Sequence, residues 1–342
     1  MRWLAKAVVV NHDTGAETEV GVVDATVTVD RKSDARRVVE ATITPDVDPA
    51  LLTPPHRLRL WAGYSSQGID YWAPLAHVRM GTRSKGPLGA WQLRNCLSFE
   101  ALVAAARFRT PRIFDGRSSL VASMQALILE AVPWASVTVT TARDSTMPTG
   151  TVTYEQERWQ AIAGRESSMA TALGVDVGCD GDGSFVIRDM PSGLPTWDVS
   201  EGGLLVDYSE TVASDDVRNV WIASSDHPDT NPVRGVAADT DPYSPTRVDR
   251  WGESVGFYSS PLLTTNLMCE QAARTRLENS RGVTVALDMT AAPNPWADIT
   301  DIVSSTRDGV THQHQLDKIT HSLRPDEPLK LTAAARTVNV GG

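Results

Sequence analysis

The chain has 342 residues, more than one typical domain holds, so two to four compact units are expected. Hydrophobic residues make up 41% and charged residues 22%, an ordinary composition for a folded protein. The formal net charge of −10 excludes a surface built to wrap nucleic acid, though not an acidic wall past which DNA slides without sticking.

Residues from about Glu19 to Leu97 read as short strands. Val20–Val29 and Val38–Thr44 are rich in Val and Thr, and Arg57–Trp61 alternates polar and apolar positions as a half-buried strand does. Turn residues around Gly63 and Ser65–Gly68 precede a returning strand, Tyr71–Met80, and Ala90–Leu97 closes the set. Several strands at such short spacing predict a small barrel or sandwich.

Between about Ser98 and Pro195 the texture is mixed α/β. A helix from Ser118 to Ala131 places Leu120, Met124, Leu127, Ile128 and Ala131 on one face, and Pro133 stops it. Val137–Thr140 reads as a strand. A second helix over Glu155–Leu173 buries Trp159, Ile162, Ala163, Ala170 and Leu173. Thr153 and Gln156 form its capping box, and Gly174 its left-handed cap. The following hairpin turns at Asp180-Gly181-Asp182-Gly183.

From about Leu204 strands return. Asn219–Ala223 is one, followed by a long polar, proline-rich excursion over 224–261, too long for a connector and expected to be ordered by a partner. A third helix, Thr265–Asn279, turns Cys269, Ala272, Ala273 and Leu277 inward. Strands at Val283–Met289, Asp301–Ser304 and Gln313–Leu323 follow, and the tail, Leu329–Val340, is one more.

Little chemistry interrupts this architecture. Cys96, Cys179 and Cys269 lie far apart without a CxxC pair, and read as small buried hydrophobes. Asp176, Asp180 and Asp182 resemble a calcium loop, but the EF-hand spacing and terminal glutamate are missing, and Asp-Gly pairs are the strongest hairpin-turn signal. His312 and His314 share one strand face, with His321 beyond; their polar neighbours predict a solvent-facing strand in preference to a metal site. No G-x-S-x-G elbow, H-E-x-x-H or Walker loop occurs, Ser167 falls inside the second helix, and Glu155, Glu157 and Glu166 read as a solvated helix face. No cofactor is expected and no enzyme emerges, a missed hydrolase site being a distant third possibility. The apolar run at the N-terminus is too short for a signal peptide and no 18-residue apolar stretch follows, so folding in the cytoplasm without membrane insertion is expected. Ten tryptophans, with Trp61, Trp72 and Trp91 early and Trp221, Trp251 and Trp296 late, admit carbohydrate binding or, more simply, core filling and subunit contacts.

Five stretches carry a family resemblance. Trp159–Gly174 leading into the hairpin Val175–Asp189, then Leu204–Ser209 running to Val217–Ile222, resemble phage tail hub proteins. The segment Pro232–Thr246 is similar to one in minor tail proteins of phages infecting actinobacteria, and the helix with Ala272-Ala273 and the closing His314–Leu323 fit the same pattern. The likeness spans about residues 15 to 325. It implies a mixed α+β, mostly β fold with two small β-barrel domains, each with an associated α/β domain. The expected division is a first barrel at 1–97, an α/β domain at 98–200, a second barrel at 201–325 with a loop-helix insertion at about 224–280, and a C-terminal strand or tail at 326–342. The resemblance further implies a structural virion protein, the homotrimeric hub of a tail tip or baseplate, assembled in the host cytoplasm. Its partners would be the distal tail protein, the tape measure protein and other tail-tip proteins, and phage DNA would pass through without specific binding. The interface residues it suggests are Pro232, Arg234, Asp239, Asp241, Pro242, Tyr243, Pro245 and Trp251. A receptor- or carbohydrate-binding minor tail protein is the alternative.

Overall fold

The computed structural model describes residues 2–114, 118–146, 152–154, 156–164, 168–191, 194–200, 203–213, 217–226, 232–280, 283–307 and 310–337. The first segment is all strand: β1 (Arg2–Val10), β2 (Glu17–Val20), β3 (Val22–Asp30), β4 (Arg37–Ile43), β5 (Arg57–Ser66), β6 (Ile69–Arg79), β7 (Thr82–Lys85) and β8 (Trp91–Leu97). The middle holds α1 (Glu100–Ala105), β9 (Arg112–Phe114), α2 (Leu120–Ala131), β10 (Val137–Val139), β11 (Val152–Tyr154), α3 (Arg158–Ala163), α4 (Met169–Leu173), β12 (Val175–Cys179) and β13 (Phe185–Asp189). Next come β14 (Trp197–Asp198), β15 (Leu205–Ala213), β16 (Val220–Ser224), β17 (Arg234–Ala238), α5 (Val248–Trp251), β18 (Val255–Ser259) and α6 (Asn266–Ser280). The chain closes with β19 (Val283–Ala291), β20 (Ile302–Arg307), β21 (Val310–Ser322) and β22 (Leu329–Thr337).

One long sheet organises the molecule. Its main path runs β15-β19-β22-β21-β3-β4-β8-β7, so strands from the two ends of the chain alternate into one surface. The junction is β21 against β3, antiparallel, with Ile319 opposite Val29 and His321 opposite Val27. On β3 the burial alternates residue by residue, Ala25, Val27 and Val29 facing in, the period of a strand with one dry face. A second sheet, β2-β1-β5-β6, packs Ala7, Val9, Leu58 and Leu60 onto that dry face. The same buried cluster continues through Leu316, Ile319 and Leu331, so residues 1–97 and 283–337 share a core.

The helical unit has its own core. α2, with Leu120, Met124, Leu127 and Ile128 buried as its periodicity requires, packs with α3 and α4 against the small sheet β10-β13-β12. Ser119 caps α2 by accepting from the Ala122 N–H at 3.1 Å. A third core lies where α6 covers β17-β16-β18 through Cys269, Ala273 and Leu277. All three cysteines are free and buried.

Several expectations need correction. The sheets are open and none of the described strands closes into a barrel, because the path ends in two strands, β7 and β15, that lie at its opposite edges. The single helix over 155–173 is two: Gly164, with φ −61° and ψ 159°, stops α3, and Ser168 starts α4 by accepting from the Thr171 N–H at 3.1 Å. Glu155 and residues 165–167 lie outside the described residues. Thr153 is no helix cap, since it sits in β11 opposite Ile113 of β9. Gly174 does close α4 in the left-handed conformation, φ 66°. Within the excursion at 224–261 the described residues include β17 and β18, paired on either side of β16, and Asp239, 1% exposed, accepts hydrogen bonds from Ser244 Oγ and Thr246 Oγ1; residues 227–231 lie outside the described residues. The N-terminal strand β1, central in its sheet, was not anticipated at all. The expected tail strand ends at Thr337 as β22, and 338–342 lie outside the described residues.

Candidate functional site

The wet face of the long sheet is the largest organised surface the fold creates. Alternation that buries valines on one side of β3 and β4 leaves Asp24, Thr26, Thr28, Asp30, Glu40 and Thr42 on the other. Register extends the same face across the junction. Asp30 stands opposite Lys318, Lys318 opposite Thr332, Thr332 opposite Asp288, and Asp288 opposite Ser209. The next row runs Asp207, Thr290, Lys330, Thr320, Thr28 and Val38. Threonines fill much of this face, and the acids Asp24, Asp30, Glu40, Asp207 and Asp288 accompany the bases Lys318, Lys330 and Arg94. Such a face is hydrated, rigid and without a basic stripe for phosphate.

Among the described residues the sheet path ends in β15 on one side and β7 on the other, and these end strands differ in charge. β15 exposes Val206, Asp207, Tyr208, Ser209 and Glu210, acidic with no base. β7 reads Thr-Arg-Ser-Lys, basic with no acid, its Arg83 and Lys85 lying 5.1 and 5.5 Å from the Trp91 ring. The last strand of a sheet path, here the nine residues of β15, is where a strand of another chain can add.

A buried ion-pair cluster locks the helical unit onto this sheet. Arg36, just before β4, holds Asp176 of β12 with two hydrogen bonds of 2.8 and 2.7 Å, and Arg188 reaches the same carboxylate at 3.0 Å. Burial alone would push the Asp176 carboxyl up, but the two arginines outweigh it and hold the pKa at about 2. Arg37 pairs in the same way with Asp298. The Asp180–Gly183 turn is used up by these contacts. Asp180 takes Arg188 at 2.9 Å, Asp182 accepts from Ser184 N–H and Oγ, and the backbone of Gly181 lies so close to β6 that a Cβ would sit 2.0 Å from Pro74 O. The calcium-loop resemblance therefore reflects a hairpin tip docked on a sheet. Among the described residues no cluster of three metal-ligating side chains occurs.

His314 and His321 depart from expectation, while the His312 side chain lies outside those described. His314 is buried, not solvent-facing, with Nε2 2.9 Å from Ser305 Oγ. His321 is buried too, and desolvation together with Arg37 lowers its pKa to about 4. His77, which no sequence pattern marked, touches Phe99 and Asp182 O, and burial with Arg59 nearby lowers it to about 4.

The eight suggested interface residues separate. Pro232, Arg234, Pro242, Tyr243 and Trp251 are exposed, Tyr243 at 77%. Asp241 and Pro245 are half-buried, and Asp239 is an internal anchor of its loop because its carboxylate is needed by Ser244 and Thr246. Of the tryptophans, Trp61 lies under Lys6, Trp91 under Arg83, Trp221 beside Arg276, and Trp296 stacks on Tyr64 at 5.9 Å.

This arrangement is the fold of phage and prophage tail proteins. The tail protein of Neisseria meningitidis MC58 matches with TM-score 0.68 at 14% identity, over 98% of this chain and 97% of that one. The 43 kDa tail protein of prophage MuSo2 from Shewanella oneidensis matches with TM-score 0.68 at 12% identity, over 97% and 98%. Prophage tail protein gp18 from Listeria monocytogenes EGD-e matches at 0.61 and 9% identity, over 97% and 94%. No family model matches the sequence, and no curated protein does. Among the described residues no helix is long and apolar enough to cross a membrane.

Proposed function

We propose that the chain is a structural subunit of a phage-type tail tip, a hub of which three copies close into a ring around the path of the genome. The observation that carries this reading is the long sheet whose two end strands, β7 and β15, are opposite in charge. Head-to-tail pairing of basic β7 with acidic β15 of the next copy leaves no edge once the rotation closes. Two four-strand halves, β7-β8-β4-β3 and β21-β22-β19-β15, meet at the β21–β3 junction, so a ring of three would carry six similar halves. These halves are the counterparts of the two barrel domains at 1–97 and 201–325, barrels completed between chains and not within one, with 98–200 and the 224–280 insertion as the outer α/β parts.

Size supports a passage. Eight strands from each of three copies, spaced about 4.8 Å and tilted about 40°, enclose a lumen roughly 40–50 Å across between facing backbones. Its dry face would be covered by the second sheet, and its wet face, with Asp24, Asp30, Glu40, Asp207 and Asp288, would line the hole. Acidic walls repel phosphate over about 8–10 Å at physiological salt, so DNA passes without sticking. The exposed residues Pro232, Arg234, Pro242, Tyr243 and Trp251 would contact a neighbouring subunit or the distal tail and tape measure proteins. The test is charge reversal at Glu40 and Asp288, both to Lys. Particles should assemble and eject DNA more slowly; ejection at the unaltered rate contradicts an electrostatic lining.

A further inference from the structure

A groove of about 770 Å³ runs between the helical unit and the α6-backed sheet, within the roughly 300–1,000 Å³ range of ligand sites. One wall is the end of α4 with the start of β12; the other is Trp221, Tyr258, Leu263 and the side of α6. Met190 and Met268 stand on its rim, 42% and 39% exposed, and methionines adapt their shape to what they meet. The lining mixes apolar residues with Thr171, Ser260, Gln271 and Thr275, and its charged members are Arg143 and Arg276. The Arg276 guanidinium is laid flat by aromatic contact, 4.2 Å from the Tyr258 ring and 5.8 Å from Trp221, and its Nη2 is shut off from solvent without a hydrogen-bond acceptor among the described residues. Arg143 on the facing wall is already committed, to Gly174 O at 3.1 Å and Asp189 at 3.2 Å.

A buried N–H of a charged group without an acceptor is costly, and a planar guanidinium matches a carboxylate. We propose that this groove docks an extended segment of another polypeptide, apolar on either side of one Asp or Glu whose carboxylate pairs with Arg276 once that side chain turns Nη2 towards the groove. The apolar part of the lining favours such a peptide over a phosphate, which offers nothing to Met190, Leu263 or Met268. The inference does not depend on the ring proposed above, because it concerns a groove inside one chain.

The test is selection of a displayed random octapeptide library on the full-length chain. Enriched peptides should carry an acidic residue between apolar ones. They should bind about tenfold or more weakly when that residue becomes its amide, and equally so to Arg276→Gln. Arg274→Gln, on the same helix, should leave binding unchanged, and Met268→Glu at the exposed rim should weaken it without touching the arginine. Circular dichroism checks that each variant is folded. No enrichment, enriched peptides without an acid, binding indifferent to Arg276→Gln in the folded variant, or competition by inorganic phosphate with no peptide preference would each overturn the proposal.

Discussion

Changing Asp176 to Asn removes a carboxylate shared by Arg36 and Arg188 while keeping its size. Asp176 and Arg36 are each only 6% exposed, so the loss falls in a dry setting. Opposite charges about 4 Å apart at an effective dielectric near 20 attract by about 4 kcal/mol, and removing one partner of a buried pair costs about 3–5 kcal/mol. The carboxyl pKa of about 2, against an ordinary 3.8, says that pairing exceeds desolvation by about 2 kcal/mol. Asp176→Asn should therefore lower unfolding free energy by about 3–5 kcal/mol. Arg188→Ala should cost less, about 2 kcal/mol, because Arg36 still holds the carboxylate. Because the folded pKa is depressed, the wild-type advantage is complete above the unfolded value and fades only as pH falls through about 2. Urea denaturation at pH 7 and pH 5 should give the same gap. A loss under about 1 kcal/mol, or Arg188→Ala costing more, would refute the view that this cluster pins the helical unit to the sheet.

Three further outcomes follow from the same geometry. His77 and His321, both lowered to about 4, bind protons more readily unfolded, so stability should fall from pH 6.5 towards 4, by about 2–3 kcal/mol each at pH 4.5. Burial sets both shifts, Arg59 and Arg57 adding to the first and Arg37 to the second while Asp182 and Asp298 oppose them; the double Gln variant should flatten the urea midpoint across that window. Gly181→Ala forces a Cβ onto Pro74 O and should destabilise by about 1–3 kcal/mol in thermal melts. Reversing the β15 charges, Asp207→Lys with Glu210→Lys, should abolish assembly in sedimentation, and Arg83→Glu with Lys85→Glu in the same chain should restore it; no effect of either pair would rule out edge pairing.

Local features of this fold were legible in the sequence and long-range ones were not. The stripe Leu120, Met124, Leu127, Ile128 fixed α2 because helical period is a short-range property, and Gly174 and the Asp-Gly turn marked chain reversals by backbone preference. The break at Gly164 escaped because the apolar stripe runs straight through it, although Ser168 before Met169 is a cap signal that points to it. β17 and β18 alternate in burial, but apolar Val236 and Phe257 point outward, so these short strands show no polar–apolar alternation in the sequence. Above all, β3 pairs with β21 nearly three hundred residues away, and no periodicity specifies which distant strand an edge selects. One continuous wet face with β7 and β15 at its ends exists only through that pairing. Arg36 and Asp176, separated by 140 positions, were equally unreadable as partners. The tail-hub resemblance supplied an element order, while the closed barrels it implied within one chain are open sheets here.

Cryo-electron microscopy of the assembled tail tip tests the central idea most directly. It should show three copies around an open axis, β7 of one hydrogen-bonded to β15 of the next, with Glu40 and Asp288 facing the hole. A ring whose lumen is lined by other elements, or edges of β7 and β15 capped by unrelated chains, would contradict it.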